Sequence, residues 1–319
     1  MRLATLKRGG RDGTLVAVSA DGARVSEVPG WATLQAALDD WDAALPAMRD
    51  ATHAAEQGEP VDPTDFAAPL PRAWQWLDGS AFPTHGELMQ RAFNLPPIET
   101  DKPLMYQGMS HHFIAPTDDV PLPSAADGID FEGEFGVITS DVPMGCSAED
   151  ALAHVRLVVM INDWSLRAIA PVEMKTGFGW VQAKPACSMA PFAVTTDLLG
   201  EAWHDGRVCL PLTVEVNGEW FGSPLGHAMA YGFHDLIAHA AHSRSLAAGT
   251  IIGSGTVSNR EHDQVGSTCI SERRAIEMIN HGMPKTGFLG SGDRVRMETR
   301  GTDGALLFGT LDQRVVAAA

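Results

Sequence analysis

Glu132 and Glu134 stand two residues apart in Ile129-Asp130-Phe131-Glu132-Gly133-Glu134-Phe135-Gly136-Val137-Ile138. Phe131, Phe135 and Val137 alternate with them, which predicts a strand whose period of two turns both carboxylates to one face. At about 3.3 Å per residue the two charges lie roughly 7 Å apart and repel each other. Such a pair is tolerated on a fully solvated face, or with a cation between the charges. The flanking aromatic residues speak against plain solvation. Carboxylate oxygens are hard ligands and favour Mg²⁺, Ca²⁺ or Mn²⁺ over zinc. The pair by itself leaves the solvated face and the metal site on equal terms.

A third carboxylate tips that balance. Val155-Arg156-Leu157-Val158-Val159-Met160-Ile161-Asn162-Asp163 reads as a buried strand with a polar tip. A side chain at a strand's end has a rigid support and faces a loop-lined opening. Asn-Asp pairs also start turns, which is the plainer reading of Asn162-Asp163. Between the two strands, Ser147 and Asp150 form a Ser-x-x-Asp helix start ahead of Ala151, Leu152 and Val155.

Glu132-Gly133-Glu134, then Ile161-Asn162-Asp163-Trp164-Ser165-Leu166-Arg167, then Lys184, then Gly255-Thr256-Val257-Ser258-Asn259 resemble the fumarylacetoacetate hydrolase family. The similarity covers roughly residues 70 to 315. It implies one divalent metal, Mg²⁺ or alternatively Ca²⁺ or Mn²⁺, held by Asp78, Glu132, Glu134 and Asp163. Asp78 precedes His85 by seven residues, the spacing of a family ligand and its catalytic His. The resemblance gives Lys184 and Glu272 catalytic roles beside His85, with Glu272 orienting it. Tyr106, Arg167 and Thr256 are the implied substrate contacts. Three features depart from the pattern. Ala170 and Met174 replace a polar Gln and Tyr, implying a more apolar tail pocket. Lys184 falls one residue late. The orienting Glu is expected near Ile270, and Glu272 is the nearest carboxylate.

Several of these residues have ordinary readings. Asp78-Gly79 is a turn dipeptide. His85 is one of 12 histidines. Arg167 could pair with an acid anywhere in so acidic a chain. Lys184 lies in an apolar stretch, an odd place for a solvated ammonium. His111 and His112 are adjacent and would face opposite ways on a strand, so they do not share a zinc.

The chain has 319 residues, 45% of them hydrophobic and 20% charged, with a formal net charge of −17. That charge argues against nucleic acid or an anionic membrane as partner. An anionic substrate then needs local positive charge, which Arg167, Lys184 and a metal would supply. Cys146, Cys187, Cys209 and Cys269 form no C-x-x-C pair, and together with the start Met1-Arg2-Leu3-Ala4 they suggest reduced thiols in the cytoplasm.

The supporting elements read as an α+β, mostly β fold. Residues 1 to 70 form a small N-terminal domain: short strands at 14–19 and 23–28 flank the hairpin signal Asp21-Gly22, and helical spacing runs from Leu34 to Met48. Glu59 to Pro63 looks like a linker. Residues 71 to 319 are rich in Gly, Pro and short strands, with helices near 86–94, 147–155 and 233–247 and a hairpin at 208–221 around Asn217-Gly218. The resemblance makes this second part a catalytic β-roll and the protein a homodimer.

The expected reaction is cleavage of a carbon–carbon bond in a 1,3-diketo acid, fumarylacetoacetate or an acylpyruvate, as in the catabolism of aromatic amino acids. His85 would activate water, and metal and Lys184 would stabilise the departing enolate. A mobile segment around 78–95 would exclude bulk water. Two rivals use the same residues: an oxo-acid decarboxylase or isomerase that needs no attacking water, and a non-catalytic protein that the metal only stabilises.

Overall fold

A computed structural model describes residues 1–96 and 100–318. Gly133–Thr139 and Val155–Asn162 pair antiparallel at its centre, with Glu134 opposite Ile161 and Gly136 opposite Val159. Their near-continuous apolar sequence suits strands covered on both faces. Alternation then divides each strand between two cores. Phe135, Val137, Val158 and Met160 enter one, while Ile138, Leu157, Val159 and Ile161 enter the other.

These strands lie within an 11-stranded sheet. In spatial order it runs Glu59–Pro60, Arg24–Glu27, Thr14–Val18, Arg2–Leu6, Ala193–Val194, Val155–Asn162, Gly133–Thr139, Ile251–Gly253, Trp76–Gly79 and Met105–Gly108. Ser188–Met189 pairs with Val155–Asn162 off this path. The strands from the first 60 residues therefore continue the sheet, joined where Leu3 pairs with Ala193. Glu59–Pro60 belongs to this sheet as its short edge strand, and Pro63–Asp65 follows as a 3₁₀ turn.

One face of the sheet is covered by two helices, Leu34–Asp39 and Trp41–Ala55, through Leu34, Leu38, Met48 and Ala51. The sequence periodicity suggests one helix here. The chain breaks it at Asp40, whose backbone leaves the helical region (φ −141°, ψ 63°). The other face packs on a five-stranded sheet of Glu219–Gly222, Thr213–Val216, Arg294–Arg300, Leu306–Ala317 and Val120–Leu122. Val214, Met297, Phe308 and Leu311 supply its side of the core. The expected hairpin is present but shorter: its first strand begins at Thr213, after Pro211, and Asn217 and Gly218 turn it with φ of 54° and 81°. The fold is thus α+β, with two packed sheets and helices on the flank.

Of the helices expected from sequence, Pro83–Phe93 and Phe233–Ala240 are present, and Ala148–Ala151 continues into a 3₁₀ turn over Leu152–His154. A longer one, Ile270–His281, lies where no helix was expected. It packs on Pro83–Phe93 through Leu88, Met89, Ala92, Ala275, Ile276 and Ile279.

Candidate active site

The central strands end together and carry acids there. Asp78, Glu134 and Asp163 are buried, and one carboxylate oxygen from each lies within 4.8 Å of the others. Asp78 and Glu134 approach each other across the strand Ile251–Gly253, which pairs with both of their strands. Gly253 permits this: a Cβ there would stand 2.5 Å from Asp78 Oδ1 and 2.3 Å from the Trp76 ring. Asp78 Oδ1 also accepts the Gly255 N–H at 3.1 Å.

The expected strand 129–138 is interrupted. Ile129–Asp130 pairs with Ser165–Leu166, and pairing with Val155–Asn162 starts only at Gly133. Asn162 Oδ1 fills the gap by accepting the Glu132 N–H at 3.1 Å. Gly133 has no room for a side chain: its Cβ would lie 2.8 Å from Leu212 Cδ2. The break gives Glu132 different neighbours from Glu134. Its Oε1 lies 2.6 Å from the Arg167 guanidinium, 3.0 Å from Lys184 Nζ and 2.8 Å from Ser165 Oγ, and its Oε2 accepts Thr256 Oγ1–H at 2.9 Å. Glu132 is thus beside the three-acid cluster but not part of it.

Lys184 links the two. Its ammonium donates to Glu132 and, at 2.6 Å, to Asp163 Oδ2. The same oxygen accepts the Tyr106 hydroxyl, while Asp163 Oδ1 accepts the Cys187 thiol at 2.9 Å. The Tyr106 and Trp180 rings close over the ammonium, with centroids 5.4 and 5.5 Å away.

His85 and Glu272 meet near Glu132. His85 is in the first turn of Pro83–Phe93 and Glu272 in the first turn of Ile270–His281. His85 Nδ1 and Glu272 Oε2 are 3.0 Å apart. A carboxylate only accepts, so Nδ1 carries the proton of this pair, and in the neutral ring Nε2 is then the nitrogen with the lone pair. Glu272 is fully buried, and its place at a helix N-terminus suits a negative charge. Cys269, which caps that helix, bridges to Glu132, so the pair is fixed next to the acids.

Burial and the neighbouring acids push the Asp78 and Glu134 carboxyls well above the usual carboxylate range. Burial alone would do the same to Glu132, but Lys184 and Arg167 outweigh it and hold Glu132 well below. Burial likewise opposes the charges of Lys184 and Arg167, and the surrounding carboxylates raise both instead. One feature stays uncompensated. Among the described residues, neither buried oxygen of Glu134 has a donor other than a proton shared with the Asp78 carboxyl. A buried carboxylate without a donor is expensive. A divalent cation between Asp78, Glu134 and Asp163 would compensate it, and three hard oxygen donors fit such an ion.

Sequence reasoning overlooked Asp130. It is fully buried and uses both oxygens: Oδ1 accepts Ile270 N–H at 2.7 Å, and Oδ2 accepts Ser271 N–H at 2.9 Å and Arg167 Nε–H at 2.8 Å. It therefore anchors both Arg167 and the helix that carries Glu272. Its signal was available, since Asp130, Glu132 and Glu134 share one period of two. Cys187 was read only as a reduced thiol. Ala170 and Met174 fall on the short helix Ala170–Thr176, and Met174 is exposed.

The family model for the fumarylacetoacetate (FAA) hydrolase C-terminal region matches residues 75–316, and that for fumarylacetoacetase N-terminal domain 2 matches residues 1–72. The chain belongs to the fumarylacetoacetate hydrolase family. Similar proteins include the human mitochondrial oxaloacetate tautomerase FAHD2B, 27% identical over 49% of this chain and 48% of that protein. Another is the 2,4-didehydro-3-deoxy-L-rhamnonate hydrolase of Sphingomonas sp. (strain SKA58), 27% identical over 50% of this chain and 54% of that one. The chain spans about half the length of the curated relatives it matches. Its fold is shared with a maleylpyruvate hydrolase from Sphingobium sp. SYK-6, solved with a manganese (II) ion and pyruvate (TM-score 0.68, 17% identity, all of both chains). It is also shared with a 5-carboxymethyl-2-hydroxymuconate delta-isomerase from Mycobacterium smegmatis (TM-score 0.63, 20% identity, all of both chains). No described helix is long and apolar enough to cross a membrane.

Proposed function

We propose that this chain is a metal-dependent hydrolase that cleaves a carbon–carbon bond in a 1,3-diketo acid of the fumarylacetoacetate or acylpyruvate type. The observation that carries the reading is the His85–Glu272 pair at 3.0 Å beside the buried acids. Asp78, Glu134 and Asp163 would hold an Mg²⁺-class ion, with Glu132 next to it. When bound, that ion supplies Lewis-acid polarisation of the substrate's oxygens. His85 Nε2 takes a proton from water, and Glu272 holds the other ring nitrogen and stabilises the imidazolium that results. The Lys184 ammonium faces the charge that grows on the enolate oxygen as the carbon–carbon bond breaks. Trp180 and Tyr106 keep bulk water from that ammonium. Tyr106 keeps its part as a substrate contact. Arg167 and Thr256 are bonded to Glu132, so we assign them to fixing Glu132 first and to the substrate second.

The same residues serve a second reading, tautomerisation or isomerisation of an oxo-acid, favoured by the oxaloacetate tautomerases among the similar proteins. There His85 would move a proton between carbon and oxygen, and no bond between carbons would break. Incubation of the Mg²⁺- or Mn²⁺-loaded protein with acetylpyruvate, fumarylpyruvate and oxaloacetate separates the two. Loss of enol absorbance with release of pyruvate from a diketo acid is expected. Interconversion of oxaloacetate tautomers with every diketo acid left intact would establish the second reading instead.

A further inference from the structure

A cavity of about 660 Å³ is lined by Tyr106 and Trp180, the two rings that also cover the Lys184 ammonium. Tyr106 belongs to both spaces, since its hydroxyl bonds Asp163 while its ring lines the cavity. Around the opening stand Lys102, His239, His242 and Arg244. Among the described residues that line it, none is an acid. This is against expectation in a chain with 40 acidic and 23 basic residues. Arg244 is held over the edge strand Met105–Gly108 by donation to Gln107 Oε1 at 3.3 Å. Burial, and then the nearby Lys102 and His242, hold His239 below the usual histidine range, so Lys102 and Arg244 supply the charge of this rim and His239 a neutral N–H donor.

The geometry points to a second anion subsite in this cavity, which takes the distal carboxylate of a dianionic oxo-acid. The assignment rests on the diketo-acid reading and narrows it. One end of the substrate would lie at Asp78, Glu134 and Asp163, its chain would pass the Tyr106 and Trp180 rings, and its far carboxylate would reach the cationic rim. Charge-assisted hydrogen bonds to an arginine are the strong ones at such a rim, and a partly buried histidine adds a neutral donor. A cationic funnel also speeds capture of an anion by a protein that itself carries a net charge of −17. For fumarylpyruvate the balance is simple. Water adds to the carbonyl next to the alkene, the bond to the central carbon breaks, and fumarate and pyruvate leave. Fumarate alone therefore probes the rim.

The test compares the Mg²⁺-loaded wild type with the double variant Arg244→Gln, His239→Gln. The KM for fumarylpyruvate should rise about tenfold or more, as loss of charged hydrogen bonds implies. The KM for acetylpyruvate, which has no distal carboxylate, should stay within about twofold. Fumarate affinity, by calorimetry, should fall in parallel, and Lys102→Gln should give a smaller loss of the same kind. Equal changes for both substrates, or no change for fumarylpyruvate, would overturn the subsite. If the wild type cleaves neither substrate, the fumarate titration decides. Binding that depends on Arg244 keeps the subsite and rejects only the reaction. Absent binding, or binding indifferent to Arg244, rejects the subsite.

Discussion

Asp78, Glu134 and Asp163 stand at the ends of neighbouring strands in the middle of the large sheet, with a core on each face. His85 stands on a helix that leans on Ile270–His281 through a small separate cluster around Leu88, Ala275 and Ile276. By this packing the acids should open to exchange only with global unfolding. The histidine, held by the smaller cluster, should be released by local opening. Binding of an ion demands fixed oxygens, whereas admission of a substrate and water demands a group that can move away and return. The Asp130 carboxylate joins the two regions, since it ties the start of Ile270–His281 to Arg167.

The largest effects should come from the rigid region. Glu134→Gln should lower Mg²⁺ or Mn²⁺ affinity by about 100-fold or more, because a second-period carboxylate is replaced by a weaker neutral oxygen. The metal-free variant should melt no lower than the wild type, because the exchange removes one of three acids crowded together in a buried site. Calorimetric titration and thermal melting measure the two. Unchanged affinity would remove Glu134 from the metal site.

In the hinged region, His85→Ala should lower kcat by about 10²–10⁴, the usual worth of a general base, and leave metal affinity within about twofold. Glu272→Gln should lose part of that factor, since it keeps the shape but not the charge that stabilises an imidazolium. Near-normal turnover of a diketo acid by His85→Ala would break the division of labour between the two regions.

The difference between the regions also explains what the sequence made legible. Phe131, Phe135 and Val137 alternate with Glu132 and Glu134, and Leu157 to Ile161 is a short continuous apolar run, so the central sheet and the acids on it can be read locally. The break at Phe131–Glu132 cannot, because it depends on Asn162 reaching across from another strand. The helix Ile270–His281 was missed because its apolar positions are few and face a small cluster, leaving Arg273, Arg274 and Glu277 to dominate its pattern. Glu272 was off by two residues from the family spacing, and only packing of that helix on Pro83–Phe93 brings it to His85. Asp130 shares the period of Glu132 and Glu134, but its anchoring role was hidden because two of its partners are backbone N–H groups 140 and 141 residues away.

A more direct probe of the comparison is Ile276→Ala. Removal of this side chain from a small cluster should cost about 2 kcal/mol, at the low end for a buried Ile. The cost should fall on local opening. Backbone amides in Pro83–Phe93 should exchange faster, while those in Val155–Asn162 keep their protection. Equal loss in both segments, by hydrogen exchange, would mean that the two regions open as one unit.

The smallest expected effect concerns the loop that carries Trp180. Glu173 accepts the N–H groups of Val181, Gln182 and Ala183 at 3.1, 2.9 and 3.0 Å, and so closes the loop on the end of Ala170–Thr176. The hydrogen bonds from Gln182 and Ala183 hold its carboxyl below the usual range. A depressed value in the folded state means that this contribution is present at neutral pH and is lost only as pH falls through that lowered value. Glu173→Ala should therefore speed exchange of the 181–183 amides at pH 7 with little change in melting temperature, because Glu173 is on the surface. Trp180 packs on Tyr106 with ring centroids 4.7 Å apart, so a looser loop should reach the site mainly through the KM of the diketo acid. A change in kcat larger than that in KM would mean that the loop shapes the reacting centre itself, and the rigid region would then extend further from the sheet than its strands do.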